Sequence, residues 1–400
     1  MINIRDKKNC TGCSACVAVC PQKCIKMKSD EEGFYYPKVD QKKCLECNSC
    51  EEVCPIRNTI EEKQFEQEGF VVQNRDSRIL AESTAGGAFT AIAQYVIRNG
   101  GIVFGVVLND QYTAEHTWIE NESELSLFRG SKYVQSYISE EVFDKAKSSL
   151  DQGRLVCFSG TPCQVEGLKS FLRKDYDNLV TVDVVCRAVP SPMVFKKYID
   201  LQEGILGSKI RKIRFRDKYY GYKYSTMNII TENNQGDYHQ GVESDLWLRA
   251  YYSGICLRPS CYQCQFKKRY RVSDFTMWDC FAVDRYSKEL NNDKGVTKLL
   301  VHSKKGKKIF KQISSDLMYV RINPDLLVKG TKEMFSSIEY NDRRELFMRD
   351  AKTLNAEALF DLYFPITLKV IIDHLIRMIC LRLGIYSIGK KIYVRITHKY

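Results

Sequence analysis

Eight cysteines in the first 54 residues repeat one spacing, Cys10-x2-Cys13-x2-Cys16-x3-Cys20-Pro21 and Cys44-x2-Cys47-x2-Cys50-x3-Cys54-Pro55. Four thiolates at this spacing wrap a cubane iron–sulfur cluster, and in two-cluster proteins the fourth cysteine of each run serves the other cluster. The expected ligand sets are therefore Cys10, Cys13, Cys16 and Cys54 for one 4Fe-4S cluster, and Cys44, Cys47, Cys50 and Cys20 for a second. The chemistry is movement of single electrons. A zinc ribbon is the alternative, but it needs only paired Cys-x2-Cys and has no use for a third and fourth thiolate followed by proline. Cys24 falls outside the pattern and reads as a packed thiol.

Four more cysteines suggest another redox centre. SGTPCQ at 159–164 follows an apolar strand, VCRAVPSP at 185–192 follows the next, and LRPSCYQCQFK supplies Cys261-x2-Cys264. In an open parallel sheet the carboxyl ends of the strands form the ligand crevice, so Cys163 and Cys186 can meet there, with Cys261 and Cys264 completing a four-thiol set. Cys256 and Cys280 are reserve ligands, and Cys157, inside a strand, reads as core. The competing reading is a scatter of buried thiols, which cores commonly hold. A different chemistry is suggested by ESTAGGAFTAIAQYVIRNGG at 82–101, where Ser83, Thr84, Gly86 and Gly87 precede a helix whose amides could face a phosphate. GSKYVQS at 130–136 adds Lys132 as a phosphate partner and Tyr133 as a stacking surface; the competing reading of either segment alone is a capped helix or a surface loop. No GxGxxG is present, so an ordinary dinucleotide fold is not indicated.

These residues need a frame. Residues 1–60 form a small α+β module of the bacterial ferredoxin type, and the acidic stretch opening 61–80 reads as a linker. Residues 81–285 alternate strand and helix periods: a helix over 88–97, strands at 102–107 and 154–159, a helix over 165–172 and a strand at 179–185. That alternation predicts an α/β core on a largely parallel sheet. Residues 286–400 form an α+β C-terminal extension, with KLLVH expected to turn through KKGKK into IFKQI as a hairpin. Ile366 to Leu383 has the period of an amphipathic helix. It is expected to pack on the core, leaving a solvated basic end and little affinity for membranes.

Composition sets the outer bounds. The chain has 400 residues, 44% of them hydrophobic, and seventeen cysteines. It can bury more than one core. The start MINIRDKKNC lacks an apolar signal region, and no uncharged apolar run reaches the length of a membrane span, so the cytoplasm is expected. The formal net charge of +12 raises nucleic-acid binding. Cubane clusters, however, each bring roughly two negative charges that a residue count omits, and the basic and aromatic stretch 211–224 reads equally as a solvated strand. A nucleic-acid partner is not expected.

The ordered set of twin ferredoxin runs, TAGGAFT, GSKYVQS, FSGTPCQVEGLKSFL, VCRAVPSP, LRPSCYQCQFKKRYRVSD and NNDKGVTKLLVHSKKGKKIF resembles the beta-subunit family of coenzyme F-420 hydrogenase and dehydrogenase over about residues 5–315. The resemblance implies a third 4Fe-4S cluster and an FAD held near Ser83 to Gly87, Ser131 to Tyr133, and Gly160, Thr161 and Pro162. The sequence also departs from the family pattern. CRAVPSP replaces the usual CHGVPSP, introducing Arg187 and Ala188, and SDFTMWDCFA replaces SDITxGDFWG. Histidine exchanges protons near neutral pH and arginine does not. Arg187 thus becomes a candidate for recognising a substrate anion. The reading is an iron–sulfur flavoprotein oxidoreductase with an unidentified substrate, served by a redox partner protein or a small donor. The alternative is an electron-transfer and docking subunit with no substrate of its own.

Overall fold

Residues 1–233, 238–386 and 389 are described in the computed structural model of the protein. Its centre is a nine-stranded mixed sheet in the spatial order Leu317–Ile322, Glu68–Asn74, Thr297–Val301, Phe275–Asp279, Leu179–Val184, Val156–Gly160, Ile102–Leu108, Ala114–Ile119 and Ser136–Tyr137. The four strands from Phe275–Asp279 through Ile102–Leu108 are mutually parallel, and antiparallel pairings flank them. The core is thus α/β with parallel central strands, as the alternation of periods implies.

Alternate strand residues feed two faces, as a period of two requires. Val103, Cys157, Val180 and Val182 pack with the helices Ala88–Arg98 and Lys304–Ile313. Ile102, Phe104, Val156 and Phe158 pack on the other side with the helices Glu140–Asp151 and Pro162–Leu172. Ile92 and Val96 of the first helix are fully buried, which is worth roughly 1.5–3 kcal/mol each. A three-stranded antiparallel sheet of Ile210–Asp217, Thr226–Thr231 and Tyr238–Gln240 forms a second layer, packed with the helices Pro192–Leu206 and Leu246–Ser253.

Three expectations are corrected. Within the supposed linker 61–80, Glu68–Asn74 is an interior strand of the large sheet, because EGFVVQN carries enough apolar surface to be buried on both faces. The segment around KKGKK is a helix, not a hairpin turn: Ser303 Oγ accepts from Gly306 N, and Ile309, Phe310 and Ile313 form its buried stripe. Two strands of the sheet, Thr297–Val301 and Leu317–Ile322, therefore lie beyond residue 285, and the core runs into the C-terminal extension.

The amphipathic helix exists, as Leu368–Arg382, but it is not packed on the core as expected. None of its residues is buried. Its polar face holds the body: His374 Nδ1 lies 3.0 Å and Arg377 Nε 3.6 Å from the buried Glu243 carboxylate. No helix among the described residues is long and apolar enough to cross a membrane.

Candidate functional site

The N-terminal module is built on the antiparallel hairpin Ile25–Ser29 and Tyr35–Val39. The residue after the second cysteine of each run, Ser14 and Asn48, has a left-handed backbone (φ 64° and 60°) and starts a single helical turn, Ala15–Ala18 and Ser49–Glu52. This repeated bend curls the chain around its thiols. Cys10, Cys13, Cys16 and Cys54 lie close enough for each of the first three thiols to feel Cys54's charge. Burial is the main reason their pKa values rise, to about 12 for Cys13, and mutual repulsion adds to it. The fourth cysteine of the second run thus joins the first three of the first. Cys20, Cys44 and Cys50 share one cluster with the buried Cys24, whose Sγ is 3.4 Å from Cys20 Sγ, and Cys16 and Cys54 adjoin the same cluster. Cys24 is a packed thiol, though it stands directly against this set. Cys47 is exposed, its pKa lowered by a hydrogen bond from the Ser49 backbone.

The module is clamped to the body. Ser14 Oγ donates to Ile138 O at 2.8 Å, and Ala15 is fully buried in the core beneath the sheet. Gly167 lies close against the first thiol set, since a Cβ there would lie 2.8 Å from Cys13 Cβ and 3.0 Å from Cys13 Sγ. Arg258, 1% exposed, donates to Cys10 O (2.9 Å), Tyr35 O (3.0 Å) and Gln135 Oε1 (3.2 Å), with its guanidinium 4.2 Å from the centre of the Tyr36 ring. Glu32 forms a buried ion pair with Arg344 at 2.6 Å.

In the body, Cys163 follows the strand ending at Gly160 and Cys186 follows the strand ending at Val184, so both stand at carboxyl edges. Thr161 caps the helix carrying Cys163, with Pro162 in its first turn. A single-turn 3-10 helix, Pro259–Gln263, delivers Cys261 and sets Cys264 at its end. All four thiols line one enclosed pocket, and Thr11 of the N-terminal module lines it with them. Burial pushes the thiol of Cys186 up to about 11 and that of Cys261 to about 12. Arg187, Arg258, Lys267 and Arg271 also line the pocket, so a ring of cations surrounds four potential thiolates. Cys256 and Cys280, the reserve ligands, are buried elsewhere, and Cys157 is core. Among the described residues no three His, Cys, Asp or Glu side chains converge as closely as a single metal ion requires.

The residues expected at a flavin gather at the same sheet edge, but several are already committed. Thr84 Oγ1 accepts from Ser131 N at 2.8 Å, joining the two segments. Gly86 offers no cradle: a Cβ there would lie 2.2 Å from Val72 O and 2.6 Å from Thr297 N, so the glycine serves strand packing. Gly87 (φ 75°) turns the chain into the helix, and the hydroxyl of Ser83 bonds back to Ile79 O. Lys132 donates to Leu127 O and Arg129 O, and burial lowers its pKa to about 7. Tyr133 stacks on Tyr251 with ring centres 4.7 Å apart. Gly160, Thr161 and Pro162 sit beside the thiol pocket, Thr161 Oγ1 being 3.1 Å from Cys163 Sγ.

Sequence reasoning missed Arg216. It pairs with Asp279 at 3.0 Å and approaches Tyr133 Oη at 3.4 Å, while its buried Nη2 has no hydrogen-bond partner. Its signal lay only in the basic and aromatic stretch 211–224. A polar cavity of about 420 Å³ shares Arg187 with the thiol pocket and is walled by Tyr252 and the segment 332–341. From that segment Ser337 Oγ accepts from Cys264 N at 2.9 Å.

Residues 153–324 match the family model for the C terminus of the coenzyme F420 hydrogenase/dehydrogenase beta subunit. Residues 9–58 match that of a 4Fe-4S dicluster domain. Both agree with the resemblance read from the sequence. Among solved structures, a chain of the F420-reducing nickel–iron hydrogenase complex from Methanosarcina barkeri matches at 16% identity, over 77% of this chain and 95% of that one, with a TM-score of 0.42. No curated protein matches the chain.

Proposed function

From a chain that joins a 4Fe-4S dicluster domain to a segment matching the F420 hydrogenase/dehydrogenase beta-subunit family, we propose an oxidoreductase that transfers electrons between a donor at the N-terminal module and a substrate at the sheet edge. The observation that carries this reading is the shared wall at Thr11, where the N-terminal module meets the enclosed four-cysteine pocket. Cys163, Cys186, Cys261 and Cys264 would hold a third 4Fe-4S cluster. Four soft thiolate donors within a ring of cations fit a group of net negative charge. Such clusters take up and release single electrons.

A flavin belongs to this reading as well, because it converts between one-electron and two-electron chemistry. Its fit rests on the unpartnered Nη2 of Arg216, and not on Tyr133, Gly86 or Lys132, which are occupied within the fold. Arg187, at the junction of the pocket and the 420 Å³ cavity, would orient an anionic substrate. Exposed Cys47 and its surroundings suit a donor protein.

The test is anaerobic purification with iron, sulfide and flavin analysis. About twelve irons per chain are expected for three cubanes, and about eight would remove the third. Cys261→Ser with Cys264→Ser should lower the iron by one cluster while preserving the dicluster signals. Arg216→Met should deplete the flavin. Full flavin occupancy in a folded Arg216→Met protein would reject this placement.

A further inference from the structure

The helix Leu368–Arg382 is amphipathic in an inverted sense. Leu368, Ile371, Ile372, Leu375, Ile376, Ile379 and Leu383 recur at spacings of three and four and so share one face, yet each is between 44 and 77% exposed. The opposite face carries Asp373, His374 and Arg377. Arg377 Nε donates to Asp373 Oδ1 at 3.0 Å, and Arg377 and His374 reach the Glu243 carboxylate. That carboxylate is only 6% exposed and also accepts from Tyr224 Oη. Turning the helix to hide its aliphatic face would strip a buried acid of the Arg377 guanidinium and the His374 ring. The outward stripe is therefore fixed by electrostatics on the inward side.

We propose that this stripe is a monotopic anchor, lying flat in the surface of an anionic membrane. The inference goes beyond electron transfer and does not depend on which cofactors are bound. Fifteen residues give a helix about 22 Å long, and the neighbouring Leu362 and Ile366, 56 and 65% exposed, extend the apolar surface. Charge selects the occupant. From Ile366 to Tyr400 the sequence carries seven Lys or Arg against the single Asp373, and on the helix itself the exposed Lys369 and Arg382 flank the aliphatic face, an arrangement drawn to anionic headgroups. Pairing with a second copy would bring two such basic segments together. Arg382, exposed and three residues after Ile379, lies among the aliphatic side chains, where its long stem can rest on apolar surface while its guanidinium reaches a phosphate headgroup.

The test uses the full chain, prepared anaerobically with its iron. Vesicles of phosphatidylglycerol mixed with phosphatidylcholine should cosediment the protein in low salt and release much of it in high salt. Phosphatidylcholine vesicles alone should bind little. Leu375→Asp with Ile379→Asp should lower partitioning roughly a hundredfold, each aliphatic side chain contributing about tenfold. Melting temperature and visible iron–sulfur absorption should stay at parental values, since both positions are exposed. If the double variant were to misfold, Leu383→Asp reads the same face singly. Equal binding to neutral vesicles, or none to anionic ones, overturns the proposal. So does a concentration-dependent dimer in sedimentation velocity that the double variant abolishes, because the face would then belong to a second copy.

Discussion

Replacing Arg258 by leucine should loosen the N-terminal module from the body and expose its first thiol set. The parent guanidinium makes three hydrogen bonds to neutral acceptors, one buried and two part-buried, at 2.9, 3.0 and 3.2 Å. Charge-assisted bonds of this kind are worth about 1.5 kcal/mol each net. The Tyr36 contact at 4.2 Å adds about 1 kcal/mol. The expected loss is therefore about 5 kcal/mol, borne mainly by two carbonyls of the module. Spread over a 400-residue chain at about 2.1 cal/mol/K per residue, it lowers the melting temperature by about 6 °C. Iron release to a chelator, followed anaerobically through the visible iron–sulfur band, should accelerate more than global unfolding does, because the broken contacts end on Cys10 and Tyr35. Arg258→Lys keeps a charge and one bond, and should fall between. An Arg258→Leu protein with parental melting and parental iron release would refute the reasoning that this side chain clamps the two parts.

Gly167→Ala should reduce iron loading of the N-terminal module with little change in secondary structure, because the new methyl would sit 2.8 Å from Cys13 Cβ; iron analysis and circular dichroism check it. Gly86→Ala should destabilise the sheet severely, the methyl falling 2.2 Å from Val72 O, and a flavin-free preparation should show the same loss in a thermal melt. His116 and His302 are buried and held neutral, burial lowering their pKa values from 6.5 to about 4 and about 3. Unfolding lets both take up protons. Their contribution is thus present above the unfolded value and is lost as pH falls from about 6.5 toward the folded values, at up to about 1.4 kcal/mol per unit for each. His302→Gln should flatten the decline in urea-melt stability between about pH 7 and about pH 5.

The thiol chemistry was the legible part. Cysteine spacing dictates local wrapping, and strand-end placement brings Cys163 and Cys186 to one edge without further information. KKGKK misled because a glycine among lysines marks a turn as readily as a helix surface; the cap at Ser303 and the stripe Ile309, Phe310 and Ile313 held the better signal. Gly86 misled for a related reason. A glycine that admits a phosphate and one that admits a neighbouring strand look identical in sequence. Arg258 and Arg216 were illegible because their partners lie up to 248 residues away. The helix Leu368–Arg382 declared its period but not which face would turn inward, since that depends on Glu243.

The strand Glu68–Asn74 pairs with Thr297–Val301 and Leu317–Ile322, with Val72 opposite Thr297 and Asn74 opposite Leu317. On the ribosome, its first neighbour emerges more than 220 residues after it. At about 5–20 residues per second, that is a delay of roughly 10–45 s. The dicluster module, whose hairpin and thiol runs are complete by residue 58, can close early in the same interval, while an apolar strand adjoining it has no lateral partner. Late truncations of the chain should therefore be poor in soluble yield out of proportion to the residues removed, and chaperone binding during synthesis should concentrate on the segment around Phe70 and Val71 until the far strands arrive.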